Sequence, residues 1–248
     1  MPFLAITRLT LRQFLRSKSL LVVVAIGLFP VIFAILPHLA GQPPNLRDLR
    51  RILGNVIYLG LFAGTLLPLA TLVLSTSALG DEIEDKTLPY LTMKPVSRLQ
   101  IVLAKFVAIL IVTIPVILFG LAVTWVVAAW GRFDEMRDML VPMMAGAVVG
   151  VLGFGAIFML VSLFIQRALL VGIFYVFIWE TALSRYLPGI RSFSIRHYTQ
   201  STFVRLLDDR GIRIDGVAAL STVWITIATI VVVCLALATW RLRTMNLE

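Results

Sequence analysis

Residues Phe106 to Gly131 read FVAILIVTIPVILFGLAVTWVVAAWG, 26 positions without a single Asp, Glu, Lys or Arg. A helix rises about 1.5 Å per residue, so this run covers about 39 Å, against roughly 30 Å of hydrocarbon in a bilayer. It is long enough to cross a membrane once and too short to cross twice. Four further runs have the same character, Ser19 to Leu46, Ile52 to Gly80, Met139 to Gln166 and Gly216 to Trp240, each of at least 25 residues. A sixth, Ala168 to Trp179, has only 12 uncharged residues before Glu180. It reaches crossing length only by including Glu180 and continuing to about Leu187. The runs predict an all-α polytopic membrane protein, one domain over residues 1–248, with six transmembrane helices at about 19–40, 54–79, 104–130, 140–166, 168–187 and 217–240. A re-entrant half-helix at 168–187 is the alternative; it leaves five crossings and termini on opposite sides.

Composition agrees. The 248 residues are 60% hydrophobic and 14% charged, with a mean hydropathy of +0.98; a soluble domain is about 45–50% apolar and about 25% charged. One cysteine, Cys234, rules out a disulfide framework and lies in an apolar run, as a small buried hydrophobe would. The net charge of +9 would suggest nucleic acid in a soluble chain, but no basic stripe with interleaved aromatics remains once the spans are set aside. Lys and Arg here flank the spans, where they meet anionic headgroups and set orientation. A signal peptide is not expected in the first 40 residues: their apolar stretch can span, has no clear small-residue cleavage site before Gln42, and is followed by further spans.

Cations divide evenly, 11 on each side of a six-span layout. All four lysines, Lys18, Lys86, Lys94 and Lys105, fall on the side of the N-terminus, and the first span is preceded by four cations and no acid. Both termini are therefore expected in the cytoplasm of a cell inner (plasma) membrane. Arg8, Arg12 and Arg16 recur every four residues, so they line one face of an N-terminal helix lying at the interface.

Between spans two and three runs GDEIEDKTLPYLTMKPVSRLQIVLAK, Gly80 to Lys105, with Asp81, Glu82, Glu84 and Asp85 packed into five positions. An acidic helix end leaves span two, and a short amphipathic piece follows. Pro95 then forces a turn because it lacks an amide donor, and Ser97 caps span three. The segment Gly80-x-x-x-x-Asp85-Lys86-Thr87 falls short of a phosphate-binding loop. Its second glycine is missing, and four carboxylates stand beside it.

The order acid cluster, Thr-Leu-x-x-Leu, Pro-Val-Ser-Arg, then Lys seven residues after the Arg, resembles the cytosolic loop of type-2 ATP-binding-cassette (ABC) exporter permeases. It sits at the same place, between the second and third of six spans. The resemblance extends to the six-span layout and the basic N-terminal helix. It implies a cytosolic coupling helix that docks on an ATPase subunit. Glu82 and Glu84 match the family's acids, Thr87, Leu88 and Leu91 the helix that follows, and Pro95, Ser97, Arg98 and Lys105 the turn into span three. Lys86 stands where the family often has Gly, and Pro89 interrupts the coupling helix. The family further implies cytosolic ABC ATPase partners and a second permease copy, as homodimer or heterodimer. ATP and Mg would be bound by the partner ATPase and no cofactor by this chain.

Glu180 is the only acid inside an apolar span. It is read either as a polar contact for substrate or a gate, or as an interfacial residue paired with an arginine such as Arg185. His38 and His197 are the only histidines and have no Cys, Asp or Glu at ligand spacing, so no metal site is expected. Gly146, Gly150, Gly153 and Gly155 in span four predict close helix approach within the subunit, and Pro30, Pro68, Pro115 and Pro142 predict kinks. Arg185 to Asp215 is too polar to span, and short helices on the outer surface are expected there. Two other functions compete. An ion-coupled secondary transporter usually carries several buried ionisable residues and repeated halves. An intramembrane enzyme needs a nucleophile with its base, paired acids or metal ligands, and the chain offers no such set.

Overall fold

The computed structural model describes residues 2–39, 45–84, 96–165, 167–183, 194–209 and 211–244; for residues 2, 79, 81–84 and 180–183 the description is of the backbone alone. Among the described residues every regular element is helical. Helix α1 (Pro2–Arg16) precedes α2 (Lys18–Leu28) and α3 (Pro30–Leu39), which together make the first span. Then come α4 (Leu46–Arg51), a wide-wound π-helical stretch (Ile52–Leu66) and α5 (Leu67–Glu84), one continuous rod. Long helices α6 (Arg98–Ala128) and α7 (Phe133–Phe164) follow. After them are α8 (Ala168–Phe174), a second π-helical stretch (Tyr175–Leu183), α9 (Ile195–Leu207) and α10 (Leu220–Thr244).

Five of these rods are long and apolar enough to cross a membrane: Lys18–Leu39, Leu46–Ala78, Arg98–Ala128, Phe133–Phe164 and Leu220–Thr244, with a shorter apolar helix at Ala168–Trp179. The six-span, all-α expectation holds at this level. Local sequence explains the joints. Ser17, extended, accepts from the Ser19 amide at 3.0 Å and so starts α2. Pro30 breaks the first span as expected, with Phe29 between α2 and α3. Pro115 and Pro142, in contrast, are carried inside α6 and α7 without ending them.

Helix α7 is the hub, touching α5, α6, α9 and α10. It buries 67% of its span, whereas Lys18–Leu39 buries 22% and Leu220–Thr244 17%, so those two form the rim. Their exposed Leu21, Ile32 and Leu36, and Ile225, Val232 and Leu237, suit acyl chains. The rim helix α2 presses close to α6 because Gly27 and Gly120 meet there; a methyl on Gly120 would run into the Gly27 backbone.

The expected fifth crossing opens with the shorter apolar helix Ala168–Trp179. Tyr175 meets Phe158 edge-on at 5.9 Å, so α8 and the stretch after it turn back along α7. Helix α9 also lies on α7: Ile195 faces Gly153, Thr199 faces Gly150 and Gly146, and Phe203 packs on Tyr58 at 4.3 Å between ring centres. Gly153 is 20 residues along α7 from Phe133, about 30 Å along the helix axis at about 1.5 Å per residue, well inside its apolar part. Ala168–Leu183 is the described part of the helix expected over 168–187, whose last residues lie outside the described residues, and α9 packs beside it in the bundle. The short helix expected within 185–215 is present as α9, but it packs into the bundle and does not lie on the surface. Ile195, Tyr198, Thr199, Ser201, Thr202 and Phe203 are buried, because the glycines of α7 leave a trough that admits a helix with short polar side chains.

Candidate coupling and transport site

The two ends of the bundle carry different chemistry. At one end, which we call the Lys105 end, the N-terminal helix lies against the start of α6. Ile6, Thr7, Thr10 and Phe14 point inward while Arg8, Arg12 and Arg16 are exposed, as the four-residue spacing predicts. Thr7 Oγ1 donates to the Phe3 carbonyl at 3.1 Å and reaches the Ala104 carbonyl of α6 at 3.5 Å. Next to that contact Lys105, fully buried, donates from Nζ to the Ala78 carbonyl near the end of α5. A buried ammonium without partners is costly, so this bond holds α5 and α6 together where they leave the bundle. Ser77 of α5 donates to Ser19 of α2 at 3.2 Å, and Arg241 of α10 stacks its guanidinium over Phe164 of α7, 5.1 Å from the ring centre. The starts of α2 and α6, the ends of α5, α7 and α10, and α1 therefore share one end. The first and last described helices, α1 and α10, both reach it.

Inside the bundle, α9 brings hydroxyls and an amide to membrane depth. Thr199 and Thr202 donate to their own helix, to the Ile195 and Tyr198 carbonyls at 3.1 and 2.9 Å, which removes the need for outside partners. Gln200 Nε2 donates to the Leu59 carbonyl at 2.8 Å, and Ser201 accepts from the Ala218 amide at 3.2 Å. Leu59 belongs to the wide-wound stretch Ile52–Leu66. Such π winding is ordinarily a single turn and recurs at functional sites; here it spans 15 residues and packs its Gly64 under the Arg196 guanidinium. Tyr58, in the same stretch, donates to the Met143 carbonyl of α7 at 2.9 Å.

At the opposite end Arg50 ties three segments together. Its Nη1 and Nη2 grip both oxygens of Asp138 at 2.9 and 2.6 Å, and Nη1 also donates to the Glu135 carbonyl at 2.9 Å. Its Nε donates to Asp209 at 3.1 Å. Asp209 lies in the connection after α9, which ends at Asp208 in the left-handed region (φ 48°). The Gly211 amide donates to Asp209 at 2.8 Å. That bond first, then the Arg50 and Arg47 guanidiniums, holds the Asp209 carboxyl below the ordinary carboxylate range. Trp125 reinforces this end by donating to the Met136 carbonyl at 2.9 Å.

The residues singled out from sequence fall as follows. Glu82 and Glu84 lie in the last turns of α5, where only the backbone is described, and Arg98 opens α6, behind a Ser97 cap that accepts from Gln100 at 3.3 Å. One Arg98 nitrogen, Nη1, is buried with no hydrogen-bond partner among the described residues. Thr87, Leu88, Leu91 and Pro95 lie outside the described residues, as do Lys86, Pro89 and Arg185. Glu180 lies in the backbone of Tyr175–Leu183. Gly146, Gly150 and Gly153 meet Tyr58, Leu67, Thr199 and Ile195 of the same chain, which is the packing within one subunit read from their spacing. No group of three His, Cys, Asp or Glu able to hold a metal occurs among the described residues. Arg196 and Gln200 were missed, because their segment was read as extramembrane; the signal was the absence of charge from His197 to Val204.

A multi-pass helical bundle with a polar helix threaded through it defines the class, a multi-pass membrane protein. Residues 4–247 match the domain described as ABC-2 family transporter protein, nearly the whole chain, and the chain belongs to that family. It is an ABC transporter permease, a transport subunit of the membrane. No curated protein matches it significantly.

Proposed function

We propose that this chain is the permease subunit of an ATP-driven exporter of the inner (plasma) membrane, working as a pair of permeases with two cytosolic ABC ATPases. ATP and Mg are bound and hydrolysed on those partners, and the termini face the cytoplasm with them. Movement enters through Glu82, Glu84, Thr87, Leu88, Leu91, Pro95 and Arg98 and through α1. The observation that carries the reading is the Lys105–Ala78 bond beside the Thr7–Ala104 contact. A push on the segment between α5 and α6 reaches both helices and α1 together, and α5 is continuous with the wide-wound stretch that holds α9. Alternating access then consists of α9 and its neighbours shifting against α7. Glu180, in the stretch Tyr175–Leu183, is a pathway or gate residue in this scheme.

Co-purification with an ABC ATPase encoded beside this gene is the test. The pair is expected to co-elute and to hydrolyse ATP faster than the ATPase alone. Arg98→Glu combined with Glu82→Lys is expected to abolish both. A chain that stays alone and gives no ATPase stimulation defeats the proposal, and flux driven by a proton gradient without ATP favours an ion-coupled transporter.

A further inference from the structure

A cleft of about 720 Å³ opens at the Arg50 end, between α4 and the connection from α9 to α10. Four guanidiniums line it, Arg47, Arg50, Arg51 and Arg213. Arg50 is committed to Asp138 and Asp209. The other three are exposed and make no hydrogen bond or ion pair among the described residues. Leu46 and Ile212 add apolar surface to the lining. The wall is fixed in advance: Ile212 is buried against Gly54, Asp209 is bonded to Gly211 and Arg50, and Asn55 reaches the Gly211 carbonyl at 3.4 Å.

Three forked donors around a pre-built, part-apolar cleft match a group with several anionic oxygens and a hydrocarbon attachment. The volume is that of ordinary small-molecule sites, about 300–1,000 Å³. We propose that this cleft binds a phosphate group, with Arg47, Arg51 and Arg213 as its ligands and Arg50 as the fixed wall. The proposal does not depend on the transport reading, since the permease chain alone suffices to test it.

The purified chain is placed in nanodiscs of phosphatidylcholine and titrated separately with dioctanoyl phosphatidic acid and with inorganic phosphate, binding being read by calorimetry. Saturable binding is expected, weakened about tenfold by each of Arg47→Gln and Arg213→Gln, the loss of one charge-assisted contact. Arg243→Gln, an exposed cation at the other end, is expected to bind as the natural chain does. Arg47→Lys, which keeps charge and loses the fork, should fall between. Binding of the lipid alone identifies a headgroup site. Binding of inorganic phosphate with the same pattern of variants identifies a site for soluble phosphates. No saturable binding of either probe, or equal binding by all variants, overturns the proposal.

Discussion

Gly146→Ala tests the seating of α9 on α7. A methyl at position 146 would stand 2.8 Å from the Thr199 carbonyl oxygen, inside the 3.0 Å that Cβ contacts essentially never breach, and would also meet the Tyr58 hydroxyl. Neither neighbour yields easily. The first is backbone of α9, and the second is held on the Met143 carbonyl at 2.9 Å. Overpacking costs about 1–3 kcal/mol and loss of a buried hydrogen bond about 1 kcal/mol, so about 2–4 kcal/mol is expected. For a chain of this size about 2–4 °C is lost per kcal/mol, which places the fall in Tm at about 4–16 °C. Gly155→Ala is the matched control, since its methyl would find Phe106 at 3.6 Å and Thr71 at 3.8 Å, ordinary contacts. The assay is thermal unfolding of the purified protein followed by tryptophan fluorescence, with hydrogen exchange over residues 195–207 as the local readout. If Gly146→Ala melts with Gly155→Ala and exchange in α9 is unchanged, α9 does not rest on the glycine trough and its seating on α7 is wrong.

Other substitutions probe the two ends. Lys105→Ala leaves the Ala78 carbonyl without this donor and a void between α5 and α6; a loss of about 2–4 kcal/mol is expected in the same melts, together with weaker ATPase stimulation. Asp209→Asn removes a carboxylate whose folded pKa lies below its ordinary value. Its stabilisation is therefore present above the unfolded pKa and lost as pH falls through the folded one, so the Tm gap to the natural chain should be constant above about pH 5 and close below about pH 4. A gap unchanged down to pH 3 would contradict that. Glu180→Gln is expected to assemble normally and to lose transport; a variant that transports normally removes Glu180 from the pathway.

The number of crossings was legible because hydrocarbon thickness acts on any apolar run, whatever its neighbours. The same holds for α1, where the four-residue spacing of Arg8, Arg12 and Arg16 fixes the exposed face. The glycine spacing in α7 announced a close approach but not its partner. That partner is a helix whose own composition speaks against burial, with Arg196, His197, Gln200 and three Ser or Thr residues. Its depth is decided by a trough on another helix and by satisfaction of its hydroxyls along its own backbone. The Arg50 clamp escaped for a similar reason. Arg50, Asp138 and Asp209 are far apart in the chain and carry no local pattern. The coupling segment shows the converse case: its residues stood out by order alone, and most of them fall outside the described residues.

The composition of α9 bears on how the protein is made. A segment reading IRHYTQSTFVRLL has too few large apolar side chains, and two arginines too many, to partition into lipid unaided. During synthesis it therefore waits at the aqueous face while α7 and the wide-wound stretch are already inserted. It enters only when their surfaces, and the later α10, can receive its polar groups. Biogenesis then ends with a docking event, not with the last insertion. Chains arrested before α10 is complete should still expose α9 to aqueous labelling reagents and to quality-control proteases.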